Sequence, residues 1–294
     1  MPLHGSVSET GCSRLLSHAS VPHGSPSAMK LGCTTATFGG KLPEKLAAIA
    51  AAGFCATEFW PRDLYEHAEG PEAAIDCLKT TGLKVSAYQA LRNFEGSKPA
   101  QMPLKLKIAN QLLDQMDLIE AETLVLCSNT SPDAAANPEI QAADLRRLGD
   151  IAHKAGKRIA YEPLCWGHCV NSYQSAWKLL RQADHPAVGL LLDAFHIFAR
   201  GDSLDQIREI PGDRIFLVEL ADIPRTNLGL IELSRGHRFF PGDGVAPVRE
   251  FIDQVRATGY DGIYSLEIFN AFHAARPPLE VAHRAMSSLR SLFD

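Results

Sequence analysis

Eight times along the chain a short apolar, β-branched run gives way to a stretch of helical periodicity, and this alternation restricts the fold more than any single motif. The runs occupy 31–38, 56–60, 83–90, 123–127, 158–163, 188–196, 214–221 and 262–269. Segments between and after them include LPEKLAAIAAAG (42–53), EAAIDCLKTTG (72–82), LRRLGDIAHKAG (145–156), VREFIDQVRATG (248–259) and a final PLEVAHRAMSSLRSLF (278–293). Apolar residues recur there at three- and four-residue spacing, and most of the segments stop at a glycine, the residue that most readily ends a helix. Eight strand–helix units in a chain of 294 residues predict a single α/β domain, a (β/α)8 barrel, which needs ~250 residues. A doubly wound sheet is the competing arrangement. Even spacing and the lack of a GxGxxG after the first run favour closure.

The barrel is expected over 29–294. Residues 1–28, rich in Ser, His, Gly and Pro and without periodicity, are expected to form a disordered tail, with Met29 the effective start. They do not have the pattern of a secretory signal. A net charge of −5 without a Lys/Arg run gives nucleic acid or an anionic membrane no electrostatic footing. No apolar run approaches the ~18 residues that would span a bilayer. The seven cysteines (12, 33, 55, 77, 127, 165 and 169) are odd in number and scattered, which fits reduced thiols in a cytoplasmic protein. Cys165 and Cys169 are close in sequence but have no second soft pair nearby, so they read as buried structural thiols.

The last four runs end in acids: Glu162 in RIAYEP, Asp193 in LLLDAFH, Glu219 in FLVELAD and Glu267 in YSLEIFN. Barrel enzymes build their sites at the C-terminal ends of the strands, so closure brings these four side chains to one rim. At separations of ~5 Å and an effective dielectric of ~20, each pair of carboxylates repels by about 3 kcal/mol, and six pairs approach ~20 kcal/mol. A fold holding them together needs protonation or a cation. Carboxylate oxygens around one point describe a hard divalent site for Mg²⁺, Mn²⁺ or Co²⁺. Asp222 lies near Glu219 but is expected to point to the other side of the strand end. His196 reads as a structural histidine, a fifth ligand, or a base beside a metal-polarised carbonyl.

The acids at strands five to eight resemble the ligand set of the xylose-isomerase-like TIM barrels, a superfamily of sugar isomerases and epimerases. The flanking words LRNFEG (91–96), YEPLCWG (161–167), LLDAFHIFARGD (191–202), LADIPR (220–225), RGHRFFPGDG (235–244) and SLEIFN (265–270) resemble the bacterial 3-dehydroshikimate dehydratases. The likeness runs from about Met29 to the C-terminus. It implies a lyase that removes water from 3-dehydroshikimate to give protocatechuate with one divalent metal. It further implies metal ligation by Glu162, Asp193 and Glu267, with Glu219 at the third ligand position. His196 then matches the catalytic histidine and Arg238 an arginine that holds the substrate.

Arg92, Ser234 and Gln89 are further candidates for the substrate side, and Glu58 is expected to orient a hydroxyl from the end of strand two. The partner is a small hydroxy-keto acid, with homo-oligomer formation left open. Some members of that family continue into a dioxygenase-like domain, whereas a chain ending at Asp294 is expected to be a single-domain form. Two positions depart from the family pattern. Glu219 stands where a glutamine is expected, which adds a negative charge to the metal shell. His168-Cys169 follows the Trp-Gly pair where Arg-His is expected, which removes a cation. A metal-dependent sugar or inositol isomerase or epimerase of the same fold is the alternative, and a barrel that binds a polyol or acid without turning it over is a second. The basic groove and histidine-rich zinc cluster of a repair nuclease are missing.

Overall fold

A computed structural model describes residues 29–293, so the tail expected over 1–28 lies outside the described residues. Eight strands are present: β1 (Leu31–Thr34), β2 (Ala56–Phe59), β3 (Lys84–Arg92), β4 (Thr123–Cys127), β5 (Arg158–Glu162), β6 (Val188–Asp193), β7 (Ile215–Leu220) and β8 (Tyr264–Leu266). They pair in sequence order into a closed barrel. Parallel pairing of β1 with β8, Gly32 beside Ser265, makes the seam. Helices cover the outside, as the alternation predicts. Helix Pro138–Lys154 illustrates the local logic. Asn137 caps it by accepting the Glu139 N–H (2.8 Å), and Pro138 takes the first position, where no donor is needed.

The interior of the barrel is a filled layer of side chains, among them Ala87, Val125, Ala160, Leu191, Phe216 and Leu217. The Phe216 ring fits because Gly189 beside it has no side chain; a Cβ there would lie 2.6 Å from the ring. A larger core cluster contains apolar residues of strands and helices alike, such as Leu124, Leu190 and Val218 with Leu145, Leu180 and Phe251. No helix among the described residues is long and apolar enough to cross a membrane.

Three of the expected runs end differently from the pattern. The first becomes a short 3-10 turn at Thr35–Thr37. The last stops at Leu266, so Glu267 lies just past β8, although its N–H still bonds Leu220 O (3.1 Å). In the run 188–196 the strand stops at Asp193, whose carboxylate accepts the Phe195 N–H and starts helix Ala194–Arg200. His196 therefore stands on a helix. A continuous apolar run has no period with which to mark that change.

Candidate metal centre

Four neighbouring strands deliver one acid each to the same end of the barrel. Glu162 and Asp193 are the last residues of β5 and β6, Glu219 is next to last in β7, and Glu267 follows β8. Register sets Asp193 beside Glu219 and Glu219 beside Ser265. One carboxylate oxygen from each acid lies within 4.8 Å of the other three, and none of these residues is more than 4% exposed.

Each carboxylate is gripped by a donor. Cys127 Sγ donates to Glu162 Oε2 (3.0 Å), the Phe195 N–H to Asp193 Oδ1 (2.8 Å), Gln89 Nε2 to Glu219 Oε1 (3.0 Å) and Arg238 Nη1 to Glu267 Oε2 (2.7 Å). Glu219 Oε2 is buried with no donor. Burial, and then the charges of Glu267, Glu58, Glu162 and Asp193, push the Glu219 carboxyl well above the usual carboxylate range. Glu267 is pushed up as well, chiefly by burial, which outweighs the attraction of Arg238. Burial also works against ionisation of Glu162, yet the bonds from His196 and Cys127 and the charges of His196 and Arg238 hold it below its ordinary value. Carboxylates this close cannot all ionise unaided. A buried, donorless oxygen within a four-carboxylate set fits a hard divalent cation, and these residues would hold one.

His196 is placed by its backbone. The Cys165 N–H donates to His196 Nδ1 (3.3 Å), and Cys165 Sγ lies at the same distance. The other ring nitrogen, Nε2, faces the acids, 3.2 Å from Glu162 Oε1 and 3.5 Å from Asp193 Oδ2. Trp166 and Phe195 pack edge-on against the ring, with centroids 5.1 and 5.2 Å away. Burial pushes the Cys165 thiol up to about 12, so that group is neutral. The described cysteines, including Cys165 and Cys169, are all free.

A cavity of about 390 Å³ opens onto this cluster. Of the residues singled out in the sequence, Glu162, Glu267, His196, Gln89, Arg92, Ser234 and Arg238 line it. Asp193, Glu219 and Glu58 do not. Glu58 is fully buried and bonded to Gln89 Nε2 (2.6 Å) and Ser265 Oγ (2.5 Å), so it meets the cavity only through Gln89. The expectation that Glu58 orients a substrate hydroxyl is corrected accordingly. Ser234 Oγ accepts from Arg238 Nη2 (3.2 Å). Arg238 is itself drawn into the acids, as its Nη1 also bonds Asp193 Oδ2 (3.0 Å). Asp222 points away, as expected. Its carboxylate gathers the N–H groups of Ile223, Gly242, Gly244 and Ala246 and thereby shapes the loop that carries RFFPGDG.

Several lining residues were not singled out: Trp60, Arg62, Cys127, Leu164, Trp166, Arg235 and Phe269. Trp166 and Phe269 lie inside the words YEPLCWG and SLEIFN, which was a usable signal. Arg235 opens the word RGHRFFPGDG but, like Arg62, sits on a helix beyond the strand ends, where no strand pattern points.

Residues 46–292 match the family model described as the xylose isomerase-like TIM barrel. A 3-dehydroshikimate dehydratase from Pseudomonas putida is 40% identical over 265 residues, covering 90% of this chain and 41% of that protein. The chain thus spans about two fifths of the length of that curated relative. A solved structure of a xylose isomerase-like TIM barrel/4-hydroxyphenylpyruvate dioxygenase fusion protein superposes with a TM-score of 0.87 at 40% identity, covering 90% of this chain and 42% of that one. The barrel of the IolI protein, solved with a zinc atom, superposes with a TM-score of 0.77 at 20% identity, covering 90% of this chain and 98% of that one, which shows a shared fold. With its closed parallel barrel and a family match over most of its length, the chain belongs to the xylose isomerase-like TIM barrel family.

Proposed function

We propose that this chain is a metal-dependent hydro-lyase that converts 3-dehydroshikimate to protocatechuate and water. The carrying observation is the imidazole of His196, set with Nε2 against the four-carboxylate cluster, of which Glu162 and Glu267 line a cavity that also holds Arg62, Arg92 and Arg235. The Pseudomonas putida relative supports the substrate assignment through its own activity. A divalent cation (Mg²⁺, Mn²⁺ or Co²⁺) held by Glu162, Asp193, Glu219 and Glu267 would supply polarisation of the substrate ketone. The IolI protein's zinc supports a metal in this fold.

In the tautomer that turns Nδ1–H toward Cys165 Sγ (3.3 Å) instead of accepting the Cys165 N–H, His196 Nε2 is free to take the proton from the carbon beside the ketone. It returns that proton to the hydroxyl that departs as water; the remaining ring ketone then enolises to the aromatic product, so the proton count closes. A positioned imidazole contributes ~10²–10⁴-fold to such a step. Trp60, Trp166 and Phe269 give the cavity flat apolar walls suited to a six-membered ring. Arg92 pairs with the ring carboxylate through its fork of donors, with Arg62 and Arg235 beside it at the same cavity. Free thiols throughout the described chain support a cytoplasmic setting.

The second reading, a sugar or inositol isomerase or epimerase, is favoured by Glu219. On that reading its Oε2, buried with no donor, would serve as a second proton-transfer group where an amide was expected. Incubation of the protein with 3-dehydroshikimate and Mn²⁺, Mg²⁺ or Co²⁺ is expected to produce the ultraviolet absorbance of a catechol acid. No product with any of the three, together with exchange of a sugar α-proton into deuterated solvent, would replace the lyase with the isomerase.

A further inference from the structure

We propose that Arg62 and Arg235 steer an anionic substrate into the cavity, so that a cyclic carboxylate is selected over a neutral polyol during the approach itself. The inference deepens the lyase reading and rests on it for the identity of the substrate. Its basis is where exposed charge lies. The acids and arginines on the cavity wall are Glu162, Glu267, Arg238, Arg62, Arg92 and Arg235. The first three are buried. Arg62, Arg92 and Arg235 are exposed, so every charge that the wall presents to solvent is positive. They come from three separate places: helix Pro61–Tyr65, the end of β3 and helix Leu230–Gly236. Among the described residues none of the three is in an ion pair, whereas the exposed Arg276 and Arg284 are paired with Glu280 and Asp243. Arg62 also lies over the Trp60 ring, its guanidinium carbon 5.3 Å from the centroid, which keeps its charge at the mouth. Its neighbour Asp63 is buried beneath, accepting from Thr35 Oγ1 and the Trp60 N–H. Glu66 and Glu232, nearby in sequence, are exposed but do not line the cavity.

The floor of the cavity leaves this field standing. Arg238 lies against Asp193 and Glu267, and a bound divalent cation would offset further negative charge there. The chain as a whole carries −5, so an anion is repelled from afar and attracted only near the mouth, within a Debye length of ~8–10 Å. A cleft lined by one sign of charge focuses its field and raises the local concentration of counter-ions. Charges at a rim act mainly on the rate of association and on its salt dependence. A neutral sugar of the same size gains nothing from them.

Two of the three tryptophans, Trp60 and Trp166, line the cavity, so collisional quenching of their fluorescence reads the charge at the mouth without any ligand. Trp177, on helix Tyr173–Ala183, adds the same background to each protein. Wild type is compared with R62Q/R235Q using iodide, caesium and acrylamide, which are anionic, cationic and neutral. Relative to acrylamide, the double variant is expected to lose about threefold or more in iodide quenching at ~0.1 M salt and to gain in caesium quenching. At ~1 M salt the two proteins should converge. Stopped-flow binding of protocatechuate with Mn²⁺ present then reads the effect on a ring carboxylate: the association rate should fall about tenfold in R62Q/R235Q, with little change in dissociation. Equal iodide quenching in the two proteins would overturn the proposal. So would an unchanged association rate with faster dissociation, which would make both arginines contacts of the bound molecule. If wild type binds no protocatechuate while the iodide difference holds, the steering of anions stands and the lyase reading falls.

Discussion

Replacement of Glu95 by glutamine is expected to make the protein more stable at alkaline pH. Glu95 is 1% exposed in the loop after β3. Its Oε1 accepts the Asn129 N–H (2.6 Å) and the Tyr161 hydroxyl (2.8 Å), while Oε2 is buried with no donor. Burial raises its pKa from 4.5 to about 7, against the opposing effect of those hydrogen bonds. In the unfolded chain the group ionises first, so rising pH favours unfolding. Its contribution to stability is intact below pH 4.5 and is lost as pH rises through about 7.

A shift of about 2.5 units is worth about 3 kcal/mol in all, of which about 2–3 kcal/mol falls between pH 5 and pH 8. The assay is urea unfolding of wild type and E95Q at both pH values with EDTA present, followed by tryptophan fluorescence. Acids of the metal centre titrate alike in both proteins and cancel in the difference. The wild type should lose about 2–3 kcal/mol relative to E95Q over that span. Parallel pH profiles would refute the reasoning, because they would mean that Glu95 is ionised in the fold at neutral pH.

Glu219→Gln separates the two proposed activities: as a dehydratase the variant should hold or gain turnover on 3-dehydroshikimate while its metal affinity falls. A loss of ~10²-fold or more in steady-state assays would mark Glu219 as a proton carrier. His196→Ala should lower kcat by ~10²–10⁴-fold and leave Mn²⁺ binding measurable by calorimetry, whereas loss of the metal would make the histidine a ligand. Gly149→Ala places a methyl 2.5 Å from His185 Nδ1 and 2.7 Å from Val188. Thermal unfolding should show a cost of about 1–3 kcal/mol, the range for overpacking, and an unchanged melt would mean that helix Pro138–Lys154 shifts freely against β6.

The barrel was readable because a parallel sheet buried on both faces writes its strands as apolar runs, and one helix per strand sets their spacing. The acids were readable for a related reason: four carboxylates closing four consecutive apolar runs are more than helix starts require, although Asp193 does also cap one. What the pattern could not carry was the direction of side chains. Glu58 stands next to last in its strand just as Glu219 does, yet it is bonded beneath Gln89. Arg238 sits in a loop word that resembles a substrate clamp, and only its neighbours show that it also bonds Asp193 and Glu267. Arg62 and Arg235 reach the cavity from segments with no strand beneath them. Length and period of a run report on the backbone, whereas donor pairing is decided by side chains far apart in sequence.

The seam of the barrel bears on how the site comes into being. All four acids lie on or just past β5 to β8, in the second half of the chain, but the group that grips Glu219 reaches across from the first half. Gln89 on β3 grips Glu219, and Ser265 on β8 grips Glu58 on β2. A chain cut between β4 and β5 would leave every acid of the cluster in one fragment and the brace in the other. Cation affinity then measures how completely the halves have come together: weak for the lone second fragment and full only once the first has docked. On the metal-centre reading, a cation that binds the finished barrel most tightly would also draw the folding chain toward closure.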